Sequence, residues 1–274
     1  DYPHLSPDGG SKAASYVETD TDLGELLGQP RFKELFARWR AVRPRFVEGT
    51  EALRRGDAEA AIPLLQEASA ATSPVARKAL VNLGLAYSKA GDVETMWESS
   101  LEAFERFRGD GDLFANLVYA AGALERLPEL VPLVLESYRG LRPEPRNVQN
   151  ATFVLNECGE HRGSTEVIEW WVQTHGDLPE LAMGNAVNAY LKSGRPDDGL
   201  RWARRLVEAT DDATAHWFLS YALVEAGDLD GALEAARGCL ERDAGTFARL
   251  AADPDMARLA ADPRFVELQD LAES

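Results

Sequence analysis

From Asp20 onward the apolar and polar positions keep a helical period. Phe32, Leu35, Phe36 and Trp39 recur at i, i+3, i+4 and i+7, one apolar stripe on one helix. Leu80, Leu83, Ala86 and Tyr87 form the same kind of stripe further along, and it stops at Gly91-Asp92. A glycine there can take the left-handed conformation that ends a helix, and the aspartate can cap the helix that follows. The pattern then repeats. Asn82, Asn116, Asn150 and Asn185 fall 34, 34 and 35 residues apart, and Gly56, Gly91, Gly159, Gly194 and Gly227 keep the same phase with one unit skipped. A period of about 34 residues predicts a stack of helix-turn-helix units, each burying its apolar faces on its neighbours.

Six such units fit between residues 44 and 243. The third, 112–143, lacks the turn glycine, and Pro128 is expected to open its second helix. The fourth, 146–179, reads as carrying about three extra residues at its turn, around Gly159–Gly163. Residues 1–19, rich in Pro, Gly and Ser without an apolar period, read as a flexible tail. Residues 20–43 are expected to form N-terminal capping helices, separated from the array at Pro44, and residues 244–274 C-terminal ones. The two ends echo each other: Asp22-Leu23, Leu26 and Pro30-Arg31-Phe32-x-Glu34-Leu35 match Asp255-Met256, Leu259 and Pro263-Arg264-Phe265-x-Glu267-Leu268. Asp253-Pro254 and Asp262-Pro263 each place an N-cap before a proline at the first helical position.

Leu83-Gly84-x-x-Tyr87, Gly91-Asp92 and the small residues of the second helix resemble the tetratricopeptide repeat family, over about 200 residues. The resemblance implies an all-α, right-handed solenoid of about six repeats whose first helices line a concave groove. It also implies a non-enzymatic adaptor that holds a peptide or partner protein there. The four Asn would form a ladder along that groove, where a side-chain amide can donate to and accept from an extended backbone. Arg43, Lys78, Lys89, Arg146 and Lys192 share the expected face and outnumber its acids, so an acidic segment or a C-terminal carboxylate is the expected guest. The alternative is a regulatory or stabilising subunit, or an accessory domain, of an enzyme complex, contacting through its convex or end surface.

Charge narrows the partners. With 29 basic and 46 acidic residues the chain carries −17, which argues against nucleic acid. No apolar run reaches the roughly 20 residues of a membrane span. Cys158 and Cys239 lie two repeats apart in this register and are expected to be free thiols. Glu157-Cys158-x-x-His161 has ligand residue types but no second pair at zinc spacing, so no metal and no cofactor are expected. Four histidines fall in no nucleophile–base arrangement, and no phosphate-binding glycine loop is present. The chain is therefore read as no enzyme. A cytoplasmic location is expected, and the Arg-rich, Lys-poor composition points to a bacterial source.

Overall fold

Helix follows helix along the described chain. The structure, a computed structural model, describes residues 29–70 and 75–273. Among these residues are fifteen α-helices, two 3-10 turns and no strand. In chain order the helices are α1 (Pro30–Arg54), α2 (Ala58–Ala70), α3 (Ala76–Ala90), α4 (Val93–Arg106), α5 (Gly111–Ala123), α6 (Leu127–Ser137), α7 (Pro145–Glu157) and α8 (His161–His175). They continue with α9 (Glu180–Lys192), α10 (Pro196–Thr210), α11 (Ala213–Ala226), α12 (Leu229–Arg242), α13 (Ala244–Ala251), α14 (Ala257–Ala260) and α15 (Pro263–Glu273). Two units divide within α4, one ending at Ser99 and one beginning at Ser100.

The unit of construction is a helix pair closed by one left-handed residue. Gly56, Gly91, Gly159, Gly194 and Gly227 hold φ between 76° and 85° at five of the turns. At the third pair, where glycine is missing, Glu125 takes the same conformation at φ 58°. In every pair the following N–H reaches back over the turn, as Asp92 does to the Tyr87 carbonyl and Arg126 to that of Ala121. This is the six-to-one bond of a Schellman ending. Aspartates start the next helices: Asp92 accepts from the Thr95 N–H at 3.1 Å, Asp212 from Ala215 at 2.8 Å and Asp228 from Gly231 at 3.0 Å.

A small residue sets how closely the two helices of the first pair approach. In the first unit Gly49 of α1 meets Leu65 of α2 so closely that a Cβ would lie 2.9 Å from the Leu65 Cγ. In the second unit, first helices pack on first helices, α5 on α7, α7 on α9 and α9 on α11. Their shared face buries Leu113, Leu117, Val148, Ala151, Ala186 and Tyr190.

Three expectations are corrected. Pro44 does not divide a cap from the array, because α1 runs through it as one helix of 25 residues. Pro44 is exposed, so the carbonyl it leaves unpaired can meet water, and the apolar stripe continues on both sides of it. The fourth turn holds no insertion: Cys158-Gly159-Glu160 is as short as Ser193-Gly194-Arg195, and the length lies in α8 and in residues 176–179. The echo between the ends is not kept in packing. Phe265 and Leu268 are buried, whereas Leu35 is 43% exposed and nothing from residue 30 to 48 is buried. The flexible-tail reading and the first residues of the N-terminal echo lie outside the described residues.

At the C-terminal end α13 to α15 fold over the last pair. Phe247, Leu250, Met256, Leu259, Phe265 and Leu268 are buried, with the Phe247 and Phe265 rings 5.5 Å apart. Arg264 ties the segment down, bonding Asp230 of α12 at 2.7 Å and Asp262 at 2.7 Å. Arg258 donates to the Val224 carbonyl of α11 at 3.1 Å.

Candidate functional site

The face carrying the asparagine series is built from the first helices. A position three residues after an Asn lies beside it on the same side of the helix. In the first unit, Asn82 of α3 donates its side-chain amide to the Thr50 hydroxyl of α1 at 3.0 Å. In the second, Asn185 of α9 donates to the Gln149 carbonyl and the Thr152 hydroxyl of α7, each at 3.0 Å. Both therefore join neighbouring repeats. Asn150 of α7 is half-buried and its Nδ2 has no acceptor among the described residues. One period before Thr152 stands Val118, whose side chain offers none. Asn116 of α5 is half-buried.

The cations expected on this face divide by unit. Lys78 and Lys89 of α3 are exposed and form no ion pair among the described residues. Arg43 of α1 lies over the Trp39 ring, 5.1 Å from its centre, beside Arg40 over Phe36. Arg146 of α7 pairs with Asp112 of α5 at 3.2 Å. Lys192 of α9 pairs with Asp255, just before α14, at 2.6 Å and sits over the Tyr221 ring. The Asp255 hydrogen bond holds the Lys192 pKa above its usual value, against the effect of burial. The expected cationic character is thus cancelled on the second unit. Acids from other helices or loops neutralise both of these basic residues, Asp112 from one repeat period before Arg146 and Asp255 from 63 residues beyond Lys192.

The sequence reading passed over a different series. Leu85, Tyr119 and Phe153 are also 34 residues apart, each three residues after a ladder Asn. All three are exposed, Tyr119 by 58% and Phe153 by 38%. The signal was present in the same register as the Asn, but an aromatic residue on a helix reads first as core. Four residues before Phe153 stands Gln149, whose side chain is half-buried and makes no hydrogen bond among the described residues. One period earlier that place belongs to Ala115, four residues before Tyr119. Beyond α7 the series ends: Asn188 takes the position on α9, and on α11 Tyr221 is buried beneath Lys192. Trp217 and Phe218 of α11 are half-buried and stacked, with Phe218 closing over Gly184.

Cys158 and Cys239 are free thiols, and burial raises both pKa values, that of Cys239 to about 11. His161 is lowered by burial and by Lys192. Among the described residues no group of three His, Cys, Asp or Glu is placed to hold a metal. No described helix is long and apolar enough to cross a membrane. A shallow cavity of about 250 Å³ lies between the ends of α4 and α6, lined by Phe104, Arg108, Leu133 and Leu141, and none of the exposed rings lines it.

Residues 46–95 and 185–257 match the family model of the tetratricopeptide repeat. No curated protein sequence matches the chain significantly. A tetratricopeptide repeat protein from Parabacteroides merdae ATCC 43184 shares the fold at TM-score 0.54 with 14% identity, over 86% of this chain and 100% of its own. PilW, a widely conserved type IV pilus biogenesis factor, does so at TM-score 0.54 with 12% identity, over 84% of this chain and 98% of its own. At such identities the likeness is one of fold. Helix pairs closed at a left-handed residue, the 34-residue phase and these matches together make the fold an all-α helix-repeat array, similar to the tetratricopeptide repeat over residues 46–95 and 185–257.

Proposed function

We propose that the chain is a non-enzymatic adaptor that holds a peptide or a segment of a partner protein on the face of its first helices. The observation that carries this reading is the exposure of Tyr119 and Phe153 at one repeat position, on two helices that pack together. Large exposed rings cost solubility in a protein that keeps them for no partner. In the first unit, Lys78 and Lys89 flank Asn82 on α3, and an acidic side chain or a C-terminal carboxylate fits that helix. Arg43, Arg146 and Lys192 are already engaged and contribute less. The free thiols accord with a reducing compartment such as the cytoplasm.

A second reading places the contact on α1. The N-terminal half of α1 keeps Phe32, Phe36 and Trp39 in a stacked row without burying any of them. An affinity capture with purified chain, its partners identified by mass spectrometry, separates the readings. Tyr119→Ala with Phe153→Ala, or Lys78→Glu with Lys89→Glu, should release the captured partner while helicity stays unchanged. Retention in both, with loss on Phe36→Ser and Trp39→Ser, would move the contact to the N-terminal half of α1.

A further inference from the structure

The occupant of the second unit's face can be named by its chemistry. Tyr119 and Phe153 stand at equivalent positions on α5 and α7, which pack directly on each other. Axes of packed helices lie about 8–10 Å apart, so the rings repeat at roughly that step. A polyproline II segment has three residues per turn and rises about 3.1 Å per residue, so its side chains i and i+3 point the same way about 9 Å apart. A β-strand matches poorly. Its same-side neighbours come at about 7 Å or 13 Å, and i and i+3 face opposite ways.

Charge and hydrogen bonding select the same guest. Asp112 and Arg146 neutralise each other at the start of α5 and α7, and Glu157, exposed at the end of α7, would repel an acidic peptide. A polyproline II backbone makes no internal hydrogen bonds, so its carbonyls are open to a donor. The Gln149 side-chain amide, one turn from Phe153, offers donors that no described residue uses. At the equivalent place on α5, Ala115 projects only a methyl group, so a chain can lie close to the helix beside Tyr119. Two rings at the step of one turn, with a donor beside one of them, match the mode by which aromatic grooves receive proline-rich segments.

We propose that the α5–α7 face binds an uncharged, proline-rich segment in the polyproline II conformation, with Tyr119 and Phe153 receiving residues i and i+3. This rests on the first-helix face being the binding face. The probe is fluorescein-labelled decaproline, titrated with the full chain by fluorescence anisotropy, with decaglutamate and a Gly/Ser decapeptide as comparisons. Saturable binding of decaproline is expected, with little change between about 50 and 500 mM salt because no charge pair is made. Tyr119→Ala and Phe153→Ala should each weaken it about tenfold, a loss of about 1.4 kcal/mol. Gln149→Ala should weaken it less, by a few-fold, and Tyr119→Phe should retain it. Both rings are exposed, so circular dichroism should be unchanged in all variants. Absence of saturable decaproline binding, equal binding of the Gly/Ser peptide, or an unaffected Tyr119→Ala/Phe153→Ala double variant would overturn the proposal. If decaproline fails while that double variant still releases a captured partner, the adaptor reading stands and only the occupant is wrong.

Discussion

Glu125 shows what one residue carries in this fold. It holds φ 58° at a turn where the other five pairs place glycine. A side chain in the left-handed region costs about 1–2 kcal/mol, partly offset because glycine loses more entropy on folding. Glu125→Gly should therefore stabilise the chain by about 0.5–1 kcal/mol, read as a higher urea midpoint. Gly49 is the opposite case, since a methyl group would meet Leu65 at 2.9 Å inside a buried contact. Gly49→Ala should cost about 1–3 kcal/mol, measured the same way. Thr152 shows why an asparagine series need not be a binding series. Buried, it accepts the Asn185 amide at 3.0 Å, so Thr152→Val should cost about 1 kcal/mol and leave Asn185 one acceptor fewer. An equal midpoint in that variant would take the inter-repeat bond out of the stability of the stack.

Among the elements, α13 and α15 begin at aspartates whose pKa values are lowered by their partners. The Thr246 hydroxyl and N–H hold the Asp243 pKa below its ordinary 3.8, and Arg264 does the same for Asp262. A depressed carboxylate stabilises the fold fully above its unfolded pKa and loses that contribution as pH falls through the folded one. The C-terminal helices should hold from neutral pH down to about pH 4 and loosen below it. Hydrogen exchange followed by mass spectrometry checks this: protection of residues 244–273 should fall before that of α9 to α12 as pH drops. Simultaneous loss would place the acid response elsewhere. The hydrophobic part of the same contact is larger, because Phe265 is fully buried against Phe247. Phe265→Ala should cost about 3–5 kcal/mol and promote self-association through the uncovered α12. The long α1 is governed differently. Its C-terminal half is anchored by Gly49 to Leu53, while its N-terminal half keeps an aromatic row that no described residue buries.

At the scale of the molecule, the two thiols report on burial without perturbing it. Cys239 is fully buried with its pKa pushed up to about 11, and Cys158 is raised by burial and by its acidic neighbours Glu157 and Glu160. At pH about 8 both are mostly protonated, and the thiolate is the reactive form. A thiol reagent such as Ellman's should label the native chain slowly and the denatured chain at both cysteines. Fast native labelling of Cys239 would contradict the packing of α12. The fold itself tolerates wide sequence change. Structures only 12% and 14% identical share it, because stacking asks for small and apolar residues at fixed phase rather than for particular ones.

The sequence alone determined the helical class, the 34-residue phase, the six pairs and their turns, because each is local. Apolar period, left-handed glycine and aspartate cap act within one pair and repeat in the same register. It also set the expectation that the asparagine series and the cations share one face of the first helices. Only the tertiary structure decided what those residues do. Whether Arg146 and Lys192 are free depends on Asp112 and Asp255, 34 and 63 residues away, and whether Asn150 finds an acceptor depends on Val118 in the preceding repeat. Tyr119 and Phe153 were legible by spacing but not by role, since an apolar residue on a helix is core or surface according to what packs over it. Pairing, satisfaction and exposure belong to contacts between repeats, and those exist only once the helices are stacked.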